Sequence, residues 1–361
     1  YAYRLYGLGQ QWRRHYHRLV ELVRESSLIR SSREIPRVRQ GLYAAGALIL
    51  LVAPLVLDRY WNYTLGTVGI YIILGLGLNV VVGMAGILNL GYAAFFAIGA
   101  YSVAILTAPQ FGSTVSFWVA LPIGVLLATL TGVLLSFPVL RMRGDYLAIV
   151  TLGFGEIVRL VANWWDPVTK GPIGITGIPH PALFGRSFGL DPRPYVALLW
   201  VLIAILYVVI SNLWHSRIGR SWYATKLDED AAEAMGVPTL SMKLFAFALG
   251  ASTSGLAGVV YSSFTGYIAP DNFTLFVAVM IMASVVLGGM AHMKGAMLGA
   301  LAITILPELF RGFVQYRYLA FGVLLTLMMI VRPGGILPVR RRRYRLPSEQ
   351  DASSSSVAEE R

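Results

Sequence analysis

Tyr195-Val-Ala-Leu-Leu-Trp-Val-Leu-Ile-Ala-Ile-Leu-Tyr-Val-Val-Ile-Ser-Asn-Leu-Trp214 contains no Asp, Glu, Lys or Arg. Wound as a helix, an apolar run of about 20 residues matches the ~30 Å hydrocarbon core of a bilayer. In that solvent every backbone N–H and C=O must be bonded within the segment, so the run reads as a membrane-spanning helix. The rest of the chain repeats the pattern. Apolar segments lie at roughly 42–57, 65–82, 86–107, 117–140, 145–162, 195–214, 244–264, 272–290, 295–312 and 317–332. The expected fold is all-α: a polytopic membrane protein with about ten transmembrane segments. Gly83-Met-Ala-Gly86 interrupts this pattern and predicts at least one broken or re-entrant helix.

Composition agrees. Of 361 residues, 56% are hydrophobic and 13% charged, about half the charge of an ordinary soluble domain. A water-soluble enzyme and a disordered chain are both excluded. The absence of cysteine excludes disulfides, thiolate metal sites and a cysteine nucleophile. The net charge of +12 invites a nucleic-acid reading until the charges are located. They lie at the ends and in short islands. Residues 1–40 hold nine Arg, and Arg340-Arg-Arg-Arg343 sits near the other end. The expected surface partner is the lipid bilayer, and no nucleic acid.

Placing 1–40 in the cytoplasm and alternating ten spans puts 23 of the 30 Lys and Arg inside, as the positive-inside rule requires. Both termini are then cytoplasmic. Residues 1–40 form a basic cytoplasmic extension, too polar for a cleavable secretion signal. They suit either an interfacial basic helix on anionic lipid or a solvated extension. Residues 41–335 form the transmembrane domain. Residues 336–361 form a basic, then Ser-rich, cytoplasmic tail, of which the Ala352-Ser-Ser-Ser-Ser-Val357 region reads as disordered. The long outside loop, 163–194, carries Trp164, Trp165 and several Gly and Pro, against a regular helix. The long inside loop, 215–243, lacks Gly and Pro between Ser221 and Met235 and reads as a short surface helix.

Catalytic patterns are missing. No Gly-x-x-x-x-Gly-Lys-Ser/Thr loop and no Gly-x-Ser-x-Gly elbow occur, and the five His are scattered, against an ATPase site, a hydrolase site and a metal site. Glu156 and Arg159 share a helix face at i, i+3. An ionisable pair at membrane depth lines a transport path or forms a packing ion pair, and both readings stand. Glu308 and Arg311 repeat the spacing near an interface, where an ion pair suffices. Gly75, Gly77, Gly83, Gly86, Gly91 and Gly99 allow close helix approach. They equally suit a helix break lining a substrate path, with Asn79 and Asn89 as polar partners. Thr151 belongs to the same candidate pathway.

The inside loop contains Asp228-Glu-Asp-Ala-Ala-Glu-Ala-Met-Gly236. Acidic residues suit a helix N-terminus. Ala231, Ala232 and Ala234 offer a small face, and Gly236 with Pro238 can stop the helix. This is either a solvated loop or a helix that inserts into a soluble partner.

Glu229-Asp-Ala-Ala-Glu-Ala-Met-Gly236 resembles the coupling loop of ABC-importer permeases. Arg141-Met-Arg-Gly-Asp-Tyr-Leu-Ala-Ile-Val-Thr-Leu-Gly-Phe-Gly-Glu156 and Gly171-Pro-Ile-Gly-Ile-Thr-Gly-Ile-Pro179 resemble the branched-chain amino-acid permease family of the LivM type. So do Leu78-Asn-Val-Val-Val-Gly-Met-Ala-Gly86, Gly91–Tyr101, Ser216-Arg-Ile-Gly-Arg220, Val286-Leu-Gly-Gly-Met290 and Arg332-Pro-Gly-Gly335. These motifs follow family order over roughly 65–335. Ala291-His-Met-Lys294 departs from the Gly-Ser-type stretch common there. Residues 1–40 and 346–361 lie outside the likeness.

The resemblance implies a bacterial inner-membrane permease subunit, not an enzyme, importing branched-chain or other neutral amino acids. It implies four partner chains: a homologous second permease, two cytoplasmic ABC ATPases and a periplasmic binding protein. ATP and Mg would be bound by the ATPases, leaving this chain without a cofactor. Arg217, Arg220, Asp228, Glu229, Asp230, Ala231, Ala232, Glu233 and Gly236 would carry ATPase coupling. Asn79, Gly83, Gly86, Asn89, Thr151 and Glu156 would line the pathway. A urea or short-amide permease of the same family competes on substrate. An ion-coupled secondary transporter competes as a class, with Glu156 its plausible coupling carboxylate, and needs no charged inside loop. A polytopic membrane enzyme lacks an acid/base or metal cluster.

Overall fold

In the computed structural model, residues 54–112, 115–139, 142, 145–183, 186–311 and scattered positions between 319 and 337 are described. The apolar segments at 42–57 and 317–332 fall largely outside these residues. So do the basic extension 1–40, Arg340–Arg343 and the Ser-rich tail. The chain divides into a unit ending at Tyr60 and a second beginning at Trp61. The second carries the architecture.

Its elements are nearly all helices. α1 spans Arg59–Leu78 and runs into a π-helical turn, Asn79–Met84. α2 spans Tyr92–Thr107, α3 Phe117–Val139 and α4 Asp145–Trp164. A single turn, α5 (Asp166–Thr169), precedes α6, Pro192–His215. Two short helices follow, α7 (Arg217–Leu227) and α8 (Glu229–Ala234). α9 spans Thr239–Thr265, α10 Leu275–Gly288 and α11 Met293–Leu309. Six stretches among the described residues are long and apolar enough to cross a membrane: Arg59–Met84, Phe117–Val139, Tyr146–Trp164, Pro192–His215, Thr239–Thr265 and Pro270–Gly288. α2 is apolar but shorter.

α9 packs against both α2 and α3, and these two pack against each other. Small residues permit it. A Cβ on Gly99 would lie 2.7 Å from the Gly255 Cα, and one on Gly258 would lie 2.8 Å from the Ala100 nitrogen. With lipid tails as apolar as leucine, such close backbone packing, rather than apolar burial, holds membrane helices together. Of the six long stretches Arg59–Met84 is the most enclosed: 83% of its apolar window is buried, against 17% for α4.

The loop after α4 is not helical beyond single turns, in line with its Gly and Pro. Its strand β1 (Ile175–Thr176) pairs antiparallel with β4 (Tyr267–Ile268) just after α9, in register Ile175↔Ile268. Strands β2 (Ala182–Leu183) and β3 (Arg186–Ser187) make a small hairpin. Tyr195 Oη and His180 Nδ1 both meet the Ser263 carbonyl, at 2.7 and 2.9 Å. Trp118 Nε1 donates to the Ala182 carbonyl at 2.7 Å. These bonds tie the loop across α6, α9 and α3.

At the other end of α10, the Ile336 and Leu337 N–H groups donate to the Leu287 and Gly288 carbonyls. Gly335 also closes on Gly289, so the Val286–Met290 motif and Gly334-Gly335, far apart in sequence, meet.

Candidate functional site: a capped charged helix beside a helix interruption

The charged segment is two helices rather than the single one expected. Asp228 takes an extended conformation, φ −156° and ψ 113°, and its Oδ1 accepts from the Ala231 N–H at 3.0 Å. The Asp228 carboxylate opens α8, and the extended backbone at this residue separates that helix from α7. Such a cap is worth about 0.5–2 kcal/mol. α8 stops at Gly236, φ +81°, where the Gly236 N–H reaches the Glu233 carbonyl and the Val237 N–H reaches that of Ala232. This paired closure needs a left-handed residue, which glycine supplies without strain.

α7 and α8 are fixed to α9. Trp222 is buried, donates from Nε1 to the Met242 carbonyl at 2.8 Å and stacks on Phe245. Glu229 pairs with Lys243. Ala232 faces inward, which removes it from the expected small exposed face. Asp230, Ala231, Glu233, Ala234, Met235 and Gly236 are exposed, as are Arg217 and Arg220 on α7. Met235 is 85% exposed.

The second candidate group begins where α1 ends. After the π turn, residues 85–91 are not helical until α2 starts at Tyr92. Asn79 is fully buried, and its Oδ1 accepts from the Ala291 N–H at 2.8 Å. A Cβ on Gly83 would collide with Asn79 Oδ1 and the Ala291 nitrogen. Asn89 Oδ1 accepts from the Gly91 N–H at 3.0 Å. Thr151 Oγ1 accepts from the Leu90 N–H at 3.1 Å and donates to the Ala148 carbonyl at 3.0 Å. Polar side chains thus supply bonds that the interrupted backbone lacks.

Asn79 and Gly83 therefore gather at Ala291, whereas Asn89 and Thr151 gather at residues 89–91. Gly86 lies beside Lys226. Glu156 joins neither group. It sits about one and a half turns beyond Thr151 along α4 and is bonded to Arg159 at 2.8 Å, whose other nitrogen lies 3.9 Å from Asp271. Among the described residues, no three His, Asp or Glu cluster to hold a metal.

A cleft of about 280 Å³ lies between the two groups, lined by Gly86, Ile87 and Leu147 on one side and Asp228 and Glu229 on the other. Sequence reasoning missed three contributors: Trp222, Ala291 and Lys226, whose Nζ donates to the Gly83 carbonyl. Tryptophan in so charged a segment was the available signal for the first. Nothing local marks the other two.

A multi-helical membrane protein with a capped charged helix clamped to its central helix fits the class of transport permeases. The chain belongs to the family described as branched-chain amino acid transport system permease components, which matches residues 61–332. It is 42% identical over 332 residues to the high-affinity branched-chain amino acid transport system permease protein LivM of Escherichia coli strain K12, covering 86% of this chain and 77% of that protein. It is 25% identical to the probable LivM permease of Methanocaldococcus jannaschii, over 75% of this chain and 91% of that protein. It is also 25% identical to the permease protein LivH of Salmonella typhimurium, over 76% and 92%. No solved structure matches. The chain is accordingly a multi-pass membrane permease subunit of an ABC transporter and not an enzyme, ATP hydrolysis residing in a separate subunit.

Proposed function

We propose that this chain is the LivM-type subunit of a bacterial inner-membrane importer for branched-chain or other neutral amino acids. It pairs with a homologous second permease, two cytoplasmic ATPases that bind ATP and Mg, and a periplasmic binding protein. Its ten spans place both termini and the α7–α8 segment in the cytoplasm, with one span interrupted near 85–91. Arg217, Arg220 and the Asp228–Gly236 segment contact an ATPase. Asn79, Gly83, Gly86, Asn89 and Thr151 border the path, with Glu156 further along it.

The observation that carries this reading is α8. It is capped at both ends, exposes Glu233 and Met235, and is clamped to α9 through Glu229–Lys243 and, by way of α7, through Trp222. A helix so presented delivers force to the bundle only if something docks on it. The similarity to both LivM and LivH supports a pair of unlike permeases. An ion-coupled transporter would leave α8 without a purpose.

The test is uptake of radiolabelled leucine, isoleucine and valine by the complete complex, with urea as the competing substrate. Glu233→Lys or Gly236→Trp is expected to reduce uptake by about tenfold or more, with membrane insertion intact. Normal uptake by either variant would contradict the coupling assignment. Uptake of urea and not leucine would move the chain to the amide branch of the family.

A further inference from the structure

The helical run ending in the π turn leaves its last carbonyls without partners in the helix, and a cation there also meets the negative end of the helix dipole. Lys226 supplies that cation from a different element. Its Nζ donates to the Gly83 carbonyl. Its stem crosses Gly86, where φ is +76° and a Cβ would lie 2.8 Å from the Lys226 Cγ. Glycine is required there both by conformation and by the lysine's passage.

Lys226 occupies the last turn of α7, two residues before the Asp228 cap of α8. Displacement of α8 can reach α9 through Glu229–Lys243. It can reach the interruption through Lys226, Gly83 and then Asn79, which is bonded to Ala291 between α10 and α11.

We propose that Lys226 is a positioning residue that transmits movement of the exposed α8, through the Gly83 carbonyl, to the helix interruption at 85–91. This rests on the coupling reading above, since it needs a docked ATPase to move α8. A lysine serving only helix stability would leave the interruption indifferent to nucleotide.

The chain has no cysteine, so Ile87→Cys gives a single thiol within the interruption. Its maleimide labelling is measured in the assembled complex with and without ATP plus vanadate, which traps ADP after hydrolysis, alongside substrate moved per ATP hydrolysed. In the Ile87→Cys complex, trapping is expected to change the labelling rate severalfold. With Lys226→Met added, which keeps the stem and removes the charge, that change is expected to vanish. Transport per ATP should also fall by about tenfold, the factor carried by a charge-assisted hydrogen bond. Lys226→Arg is expected to restore both.

A full nucleotide response in Lys226→Met would overturn the relay and leave the coupling reading intact. Loss of the ATPases from the Lys226→Met complex would also overturn it, by making Lys226 a docking residue. Failure of Lys226→Arg to rescue would overturn it too, by showing that the side chain's charge is not what transmits. If the Ile87→Cys complex itself lacks ATPases or any response to nucleotide, the coupling reading falls first and takes the relay with it.

Discussion

His292 shows how much a single side chain can carry at a junction. Its Nδ1 accepts from the Gly295 N–H at 3.0 Å and so caps α11, one residue from the Ala291 N–H that Asn79 binds. Burial, and then the charge of Lys294, hold its pKa below the usual histidine value. The cap needs the neutral ring. Because the folded form releases its proton more readily than the unfolded one, this contribution is fully present above the unfolded pKa of about 6.5. It is lost as pH falls from there toward the lower folded value. Thermal unfolding of the detergent-solubilised chain should therefore show a fall in Tm between about pH 7.5 and about pH 5.5. In His292→Asn, which caps without titrating, that fall should be smaller. Identical pH profiles for the two proteins would contradict the assignment.

The same scale shows what is legible. Asp228 and Gly236 were readable as helix punctuation because capping chemistry involves residues within one turn. Asn79 and Lys226 were not, in the roles they take. Their partners lie 212 and 143 positions away, and no local pattern encodes such a meeting.

At the scale of elements, two glycines in helices should respond oppositely to the same substitution. Gly258 on α9 faces the α2 backbone, so Gly258→Ala drives a Cβ into Phe96 and Ala100. Overpacking of this kind costs about 1–3 kcal/mol. At Gly153 on α4, an added methyl would meet nothing within 4 Å. Gly153→Ala should stabilise by about 0.5–1 kcal/mol through helix propensity alone. Paired unfolding measurements check both, and equal effects would contradict the packing described for α2 and α9. The apolar segments were legible because length and charge depletion suffice to mark them. Which of them lies inside was not. Lipid and protein interior are equally apolar, and small residues occur both in the enclosed α1 (Gly69, Gly75) and in the exposed α4 (Gly153, Gly155), so neither property separates them. The division of the charged segment at Asp228 was missed because Ser221–Met235 contains no Gly or Pro, and an extended Asp breaks a helix without either.

For the whole molecule, the two candidate groups adjoin at one end of the bundle, around the cleft between Gly86 and Asp228–Glu229. The bonded loop network of β1–β4, His180, Tyr195 and Trp118 holds another part of it. Sequence motifs that looked independent, such as Val286–Met290 and Gly334–Gly335, prove to be halves of one contact. That is why the family likeness ran in order along the chain while its physical reason stayed hidden until the fold was known. The central claim is that the exposed α8 exists to receive an ATPase. Affinity purification of the chain from detergent-solubilised membranes, with mass spectrometry of whatever accompanies it, tests this most directly. The account predicts two P-loop ATPase chains and a second, unlike permease. A chain that purifies alone, or only with copies of itself, would contradict it.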